Sequence, residues 1–329
     1  KKQLYILFLL TTFLSFGQAT LVKDINLGNY SSSPGKKVVF NNEVYFPAND
    51  GINGTELWKT DGTEAGTTFF KEFKTGPESG MTNLIAFAAS NTMYFFAWDG
   101  RTNNALWKTD GTAAGTIKLK TFSGSISVSE FVAAEVNNGI VFKARIDNKH
   151  SLWKTDGTAT GTVQLKDVNP TEIIKMGNEV FFTGDGLWKT DGTDAGTVMI
   201  KNMSARNFNV INGNTLIFYN NNDKKIWKSD GTAAGTEAVS SQIFTTTNMV
   251  KNNNEVFFNH SNGSLTSLWK TDGTTTGTVE IKNDVGGIKK IVKVNNTILL
   301  FGYNPVTFKA AIWNSDGTEV GTTKFDVDI

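Results

Sequence analysis

One string returns seven times in this 329-residue chain, and it constrains the fold more than any other feature. It reads "ELWKTDGTEAGT" from Glu56, "ALWKTDGTAAGT" from Ala105, "SLWKTDGTATGT" from Ser151 and "GLWKTDGTDAGT" from Gly186. Looser copies are "KIWKSDGTAAGT" from Lys225, "SLWKTDGTTTGT" from Ser267 and "AIWNSDGTEVGT" from Ala311. The anchor tryptophans Trp58, Trp107, Trp153, Trp188, Trp227, Trp269 and Trp313 are 49, 46, 35, 39, 42 and 44 residues apart. A variable period near forty suits one propeller blade per repeat, and the strand-rich segments between motifs argue against helical solenoids.

Four strand signatures recur per period, each rich in β-branched and aromatic residues and bounded by turn formers. In the first, strand a is expected over Lys36–Phe40, strand b over Glu43–Ala48, strand c around Leu57-Trp58-Lys59 and strand d over Thr67–Phe73. Asn41-Asn42 joins a to b, and Asn137-Asn138-Gly139, Gly177-Asn178, Asn212-Gly213 and Asn295-Asn296 recur there, all suited to the positive φ of a tight hairpin. The d-to-a link is the longest, as in "NLGNYSSSP". It therefore carries the chain from a blade's outer edge to the next blade's inner edge, and strand a should line the central channel with apolar residues on both faces. The expectation is an all-β fold: a single seven-bladed β-propeller of four antiparallel strands per blade, over 20–329. Ala19–Gly28, "ATLVKDINLG", resembles a strand d with no a, b or c before it. Propellers commonly close by pairing strands from the two chain ends, and this spare segment is the candidate.

With 39% hydrophobic residues, 24 Phe and 8 Trp, the chain has material for a large core. Thirty-two Lys and Arg against 31 Asp and Glu leave a net charge of +1, which offers no basic field for nucleic acid. Residues 1–19 read as a signal peptide: Lys1-Lys2, an apolar run from Leu4 to Phe16, then Gly17-Gln18-Ala19. That run is shorter than a membrane-spanning helix needs, and no transmembrane segment is expected after signal removal; an uncleaved anchor is the competing reading. There is no cysteine, so packing alone must hold an exported chain together.

The repeated residues have structural explanations. Asp61, Asp110, Asp156, Asp191, Asp230, Asp272 and Asp316 are equivalent; each can accept backbone N–H bonds in the c-to-d turn, while the next Gly takes a left-handed conformation. Seven equivalent copies do not suit a catalytic acid. Calcium sites would have the right oxygen chemistry, but one certain carboxylate per turn is too few, and no metal or other cofactor is called for. The tryptophans are read as packing between blades, with the indole N–H bonded to backbone, rather than as sugar platforms.

At this motif the chain resembles the ELWxxDGT repeat family of exported, Bacteroidetes-type bacterial proteins, and "LVKDINLG" is similar to that family's inter-repeat segment. The resemblance implies a propeller-like β-repeat fold and a secreted or cell-surface location, in the periplasm or outside the outer membrane of a Gram-negative cell. It brings no established activity and no catalytic residues. The last copy departs by carrying Asn314 where the others have Lys. Many such proteins resemble substrates of the gliding-associated secretion system with a C-terminal sorting domain, which residues 1–329 do not contain. The turn is also similar to the Asp-box of sialidase-like propellers, itself a structural turn.

For chemistry, no phosphate loop, GxSxG elbow or HExxH helix is present. His150 and His260, the only imidazoles, are read as solvated residues flanking b-to-c connections. Asp50, Asp99, Asp147 and Asp185 are the carboxylates outside the motif in or near b-to-c loops, on the face shared with the d-to-a links. Trp98, Asp99 and Arg101, with Arg145 and Tyr303, form the candidate binding surface; the alternative is that Trp98 covers blade edges. The leading expectation is a noncatalytic exported propeller, an interaction scaffold for protein or glycan. A polysaccharide hydrolase or lyase using channel-mouth carboxylates, and a structural or adhesive surface protein, stand as alternatives.

Overall fold

The computed structural model describes residues 20–81, 84–89, 91–98, 104–122, 132–137, 139–146, 149–246, 248–262, 265–283, 285–304, 307 and 309–325. These form seven four-stranded antiparallel sheets, each with its strands in chain order, and together they make a seven-bladed β-propeller. Blade 1 comprises strands a (Val38–Phe40), b (Glu43–Asn49), c (Thr55–Thr60) and d (Thr68–Lys71). The tight a-to-b hairpins form where asparagine and glycine allow them: φ is 51° at Asn41, 61° at Asn42, 49° at Asn137, 61° at Gly177 and 54° at Asn295. Strand a of each blade packs against strand a of the next, from blade 1 to blade 7.

Side-chain alternation along strand c clips neighbouring blades together. Successive residues of a strand face opposite sides of its sheet, and here both sides are covered. Leu57, fully buried, joins a cluster with Met93 and Phe95 of blade 2, while Trp107 of blade 2 faces back into that cluster. The pattern repeats: Leu106 and Trp153 share the seam between blades 2 and 3, Leu152 and Trp188 the next, then Leu187 with Trp227, Ile226 with Trp269, and Leu268 with Trp313. A bulge at the Leu–Trp step in blades 1, 2, 3, 4 and 6 accompanies it and adds local twist. From blade 2 on, the tryptophan is covered by an apolar residue following the previous blade's strand d: Phe73 lies 5.0 Å from Trp107, Phe122 5.2 Å from Trp153 and Phe244 5.2 Å from Trp269. Lysines of the same segments lie over the indoles, Lys120 at 5.4 Å from Trp153 and Lys201 at 5.0 Å from Trp227.

Four expectations change. Strand a of blade 1 is shorter, Val38–Phe40, and strands a are not all apolar on both faces: the exposed penultimate position is Val39 in blade 1 and Ala88 in blade 2 but Lys175, Lys251 and Lys293 in blades 4, 6 and 7. Only the blade-facing side of the innermost strand must exclude water. Thr20–Gly28 forms no strand; the outer strand of blade 7 is Thr323–Phe325, and the N-terminal segment lies against blade 1 instead, with Ile25 on Trp58. Six of the seven repeat indoles do not donate to backbone. Trp188 Nε1 donates to Asp185 Oδ1 (2.9 Å) and Trp227 Nε1 to Asp223 Oδ2 (3.0 Å), while Trp58, Trp107, Trp153 and Trp269 find no acceptor among the described residues. Finally, His260 is not a solvated loop residue. It sits in strand b of blade 6 (Glu255–Asn262), packs edge-on to Phe244 and Trp269, and accepts the Thr245 N–H at 3.0 Å. Residues 1–19 lie outside the described residues, and no described helix is long and apolar enough to cross a membrane.

Glu56, the variable residue before the first LW step, is fully buried and accepts the N–H groups of Phe73 (2.8 Å), Lys74 (3.2 Å) and Gly80 (2.9 Å). It staples the long link between blades 1 and 2. Burial pushes its carboxyl up from 4.5 to about 7, against those three donors. The folded chain therefore holds this proton more tightly than the unfolded one. The corresponding stability is fully present below 4.5 and lost as pH rises through about 7. Chemical denaturation of the parent is expected to show stability declining from mildly acidic to neutral pH, with a flatter profile for Glu56→Gln. A parent profile that rises across that window would refute the assignment.

Candidate functional site

The seven repeated aspartates are occupied with their own turns. In blade 3, Asp156 Oδ1 accepts the N–H (2.9 Å) and hydroxyl (2.7 Å) of Thr158, whose hydroxyl accepts the N–H of Gly161 (2.9 Å). Thr155 and Thr162 join hydroxyls at 2.8 Å, and the Gly157 N–H donates to Thr155 Oγ1 at 3.0 Å. The Thr158 hydroxyl and N–H hold the Asp156 carboxyl below the usual carboxylate range, and the same local donors act on Asp61, Asp110, Asp191, Asp230, Asp272 and Asp316. These groups are fixed parts of the frame.

The loop-bearing face carries a cleft of about 900 Å³ between blades 3 and 4, lined by Arg145, Lys149, His150, Asp167, Asn169 and Asp185 among others. Arg145 ends strand b of blade 3 (Gly139–Ile146) and His150 begins strand c (Lys149–Thr155); the two are cross-strand partners. Opposite them, Asp167–Asn169 belong to the link leaving blade 3, and Gly184-Asp185 form the short b-to-c turn of blade 4. That turn is rigid: Thr171 and Thr183 bond through backbone (3.2 Å) and hydroxyls (2.5 Å), and Gly184 donates to the Gly186 carbonyl (3.0 Å). Glycine is needed at 184 because a Cβ there would stand 2.4 Å from Val168, which packs with Trp188 under the cleft. The Lys149 ammonium pairs with the Asp167 carboxylate. Asp185 accepts the Trp188 indole N–H. The cleft thus offers cations, carboxylates, an amide and an imidazole above an apolar floor, a set suited to hydrogen-bonding a polar ligand.

The sequence-derived candidates are only partly gathered here. Arg145, His150 and Asp185 meet in the cleft. Tyr303 ends strand b of blade 7 (Thr297–Tyr303) and lies under Lys289, 5.4 Å from its ring; it shares the face with Arg145 but belongs to a different part of the ring from blade 3. Trp98 ends strand b of blade 2 in register with Asn104, but its side chain, together with Asp99, Arg101 and Asp147, lies outside the described residues. Asp50 is a turn cap: burial raises its pKa, but the N–H groups of Asn53 and Ile52, with the Asn53 side chain, outweigh this and hold it below the usual range. Sequence reasoning passed over Lys149, Asp167 and Asn169. The short blade 4, 35 residues from Trp153 to Trp188, was the available signal, since a small b-to-c turn leaves the neighbouring link uncovered.

Fold and cleft together define a β-propeller scaffold with an open polar site on its loop face. Among solved structures, the chain is similar to the computationally designed Ika8 protein (14% identity, TM-score 0.51, 92% of this chain and 89% of that one covered). It is also similar to a prolyl endopeptidase (8% identity, TM-score 0.50), of which it spans about half, 51%, while 91% of this chain is covered. Both likenesses concern the fold. No family model matches the chain, and no curated protein matches it.

Proposed function

We propose that this is an exported or cell-surface, noncatalytic propeller of the ELWxxDGT type that binds a protein or glycan on its loop-bearing face, with the cleft between blades 3 and 4 as the seat. One observation carries the reading: the two carboxylates in the cleft are engaged, Asp167 with Lys149 and Asp185 with the Trp188 indole, which suits fixed recognition groups. Their presence in one cleft also supports the second reading, a polysaccharide hydrolase or lyase, since glycoside cleavage commonly uses two carboxylates.

Glycan and protein arrays probed with the purified chain, followed by turnover assays on the polysaccharides retained, separate these readings. Binding without turnover is expected, with Arg145→Ala/Asp185→Ala weakening it at least roughly tenfold, as for loss of two polar contacts. Turnover abolished by that double variant would establish the hydrolytic reading instead. Neither binding nor turnover would leave the structural or adhesive role.

A further inference from the structure

The seven blades define seven positions for a seam, and six are filled alike. In each, the blade behind contributes the third and sometimes fifth residues of strand b and the Leu or Ile of strand c, and in five of them also an apolar residue at the end of strand a, a place taken by the buried Asn252 between blades 6 and 7. The blade in front contributes the second residue of strand b. Between blades 4 and 5, for example, Met176, Phe181 and Leu187 meet Leu216, with Phe181, Leu187 and Leu216 fully buried. The faces of blades 7 and 1 that would form the seventh seam share no apolar cluster among the described residues. Val294 is 47% exposed where Phe40, Val136, Met176 and Ile211 are buried, and Phe301 is 36% exposed where Phe96 and Tyr219 are buried. Leu299 and Ile312 are only half-buried, although their counterparts Phe257 and Leu268 are buried. On blade 1, Val44 is half-buried, whereas Met93, Ile140, Val180, Leu216, Val256 and Ile298, its equivalents, are fully buried.

A second observation says what belongs there. Val22-Lys23-Asp24-Ile25 matches Leu165-Lys166-Asp167-Val168, the end of strand d of blade 3 and the residues just after it. The N-terminal segment also makes the contacts of such a segment with the blade that follows: Lys23 Nζ donates to the Thr67 carbonyl at 2.7 Å, as Lys201 Nζ does to the equivalent Thr236 carbonyl at 3.0 Å, and Ile25 covers Trp58 as Val168 covers Trp188. What it lacks is a sheet behind it. Among the described residues Thr20–Lys23 pairs with no strand, and Val22 is 43% exposed where Leu119, Leu165 and Ile281 are buried against their own blades. The segment behaves as the outer strand of a blade whose strands a, b and c are not among the described residues.

We propose that the space between blades 7 and 1 receives one further repeat of this chain's own class, as a three-stranded a-b-c sheet. Strand c of that sheet pairs with Thr20–Lys23, its Leu faces Val44, and its Trp faces Leu299 and Ile312. Pairing satisfies an open strand edge, and the sheet covers apolar surface on both sides, the two needs that the observed faces display.

The test appends residues 239–271, the link and strands a to c of blade 6, after Ile329 and follows hydrogen exchange. The amides of Leu21–Lys23 are expected to exchange at least roughly tenfold more slowly in the extended chain than in the parent, and Val44→Asp should restore fast exchange. In the parent, Val44→Asp should barely move the unfolding midpoint, whereas Met93→Asp, the same position in a filled seam, should lower it sharply. The proposal fails if exchange in the extended chain is unchanged. It fails equally if Val44→Asp harms the parent as much as Met93→Asp does, which would mean that blades 7 and 1 meet directly. A concentration-dependent dimer abolished by Val44→Asp would place a second copy there and also overturn it.

Discussion

Trp153→Ala lowers the stability of the chain by about 3–5 kcal/mol, the loss expected for a large aromatic removed from a closed site. The indole is 5% exposed, meets Phe122 edge-on at 5.2 Å and lies beneath Lys120 at 5.4 Å. It also closes the cluster that joins Phe96 and Leu106 of blade 2 to Ile140 and Phe142 of blade 3. Strand backbones on both sides fix the space, so little collapse can refill it. For a domain of this size the change corresponds to a fall in the unfolding midpoint of roughly 5–8 °C. Trp153→Phe, which keeps a ring against Phe122, should lose less than half as much. The measurement also decides between packing and sugar stacking. A variant as stable as the parent but unable to bind glycan would assign the indole to recognition.

Much of this frame was legible in the residues because it is written once per blade. The sevenfold motif gave the blade count, and asparagine or glycine between two apolar runs gave the a-to-b hairpins, since few other residues accept the positive φ found at Asn41, Asn137 and Gly177. The opposed roles of Leu and Trp at adjacent positions were equally present, through strand alternation, but become visible only once blades are known to cover both faces of strand c. The site was less legible. The cleft arises where the link after blade 3 meets the short b-to-c turn of blade 4; Asp167 and Asn169 recur as Asp24 and Asn26, so their place in the repeat does not mark them as site residues, and the loop that carries Lys149 has no repeated counterpart to compare. Arg145 and Tyr303 share a face but lie on blades 3 and 7, for a related reason. Position within a blade fixes which face a residue occupies, whereas its neighbours depend on which blade carries it. The seam beside blade 1 belongs to the same lesson: "LVKDIN" reads as a strand end, and only its neighbours reveal that it is one without a sheet.

Gly161→Ala is expected to cost about 2–3 kcal/mol, the upper part of the usual range for single substitutions, although it adds one methyl group at the surface. A Cβ on Gly161 would lie 2.0 Å from Asp156 Oδ1, well inside contact distance. The carboxylate cannot swing aside cheaply. Oδ1 accepts two hydrogen bonds from Thr158, whose hydroxyl takes the Gly161 N–H and whose carbonyl takes the Thr162 hydroxyl at 2.6 Å. Moving the aspartate therefore dismantles the turn. Asp156→Ala alone removes the acceptor but leaves room, and should cost about 1 kcal/mol, as for loss of a comparable capping side chain. The double variant Asp156→Ala/Gly161→Ala is then expected to be no less stable than Asp156→Ala, a coupling of about 2 kcal/mol that reverses the penalty of the glycine change. Additive losses in that cycle would show that Gly161 is required for backbone freedom rather than for the space occupied by the carboxylate. The same collision, at 1.9–2.2 Å, recurs at Gly66, Gly115, Gly196, Gly235, Gly277 and Gly321. The second glycine of the repeated string is thus explained by the aspartate five residues before it.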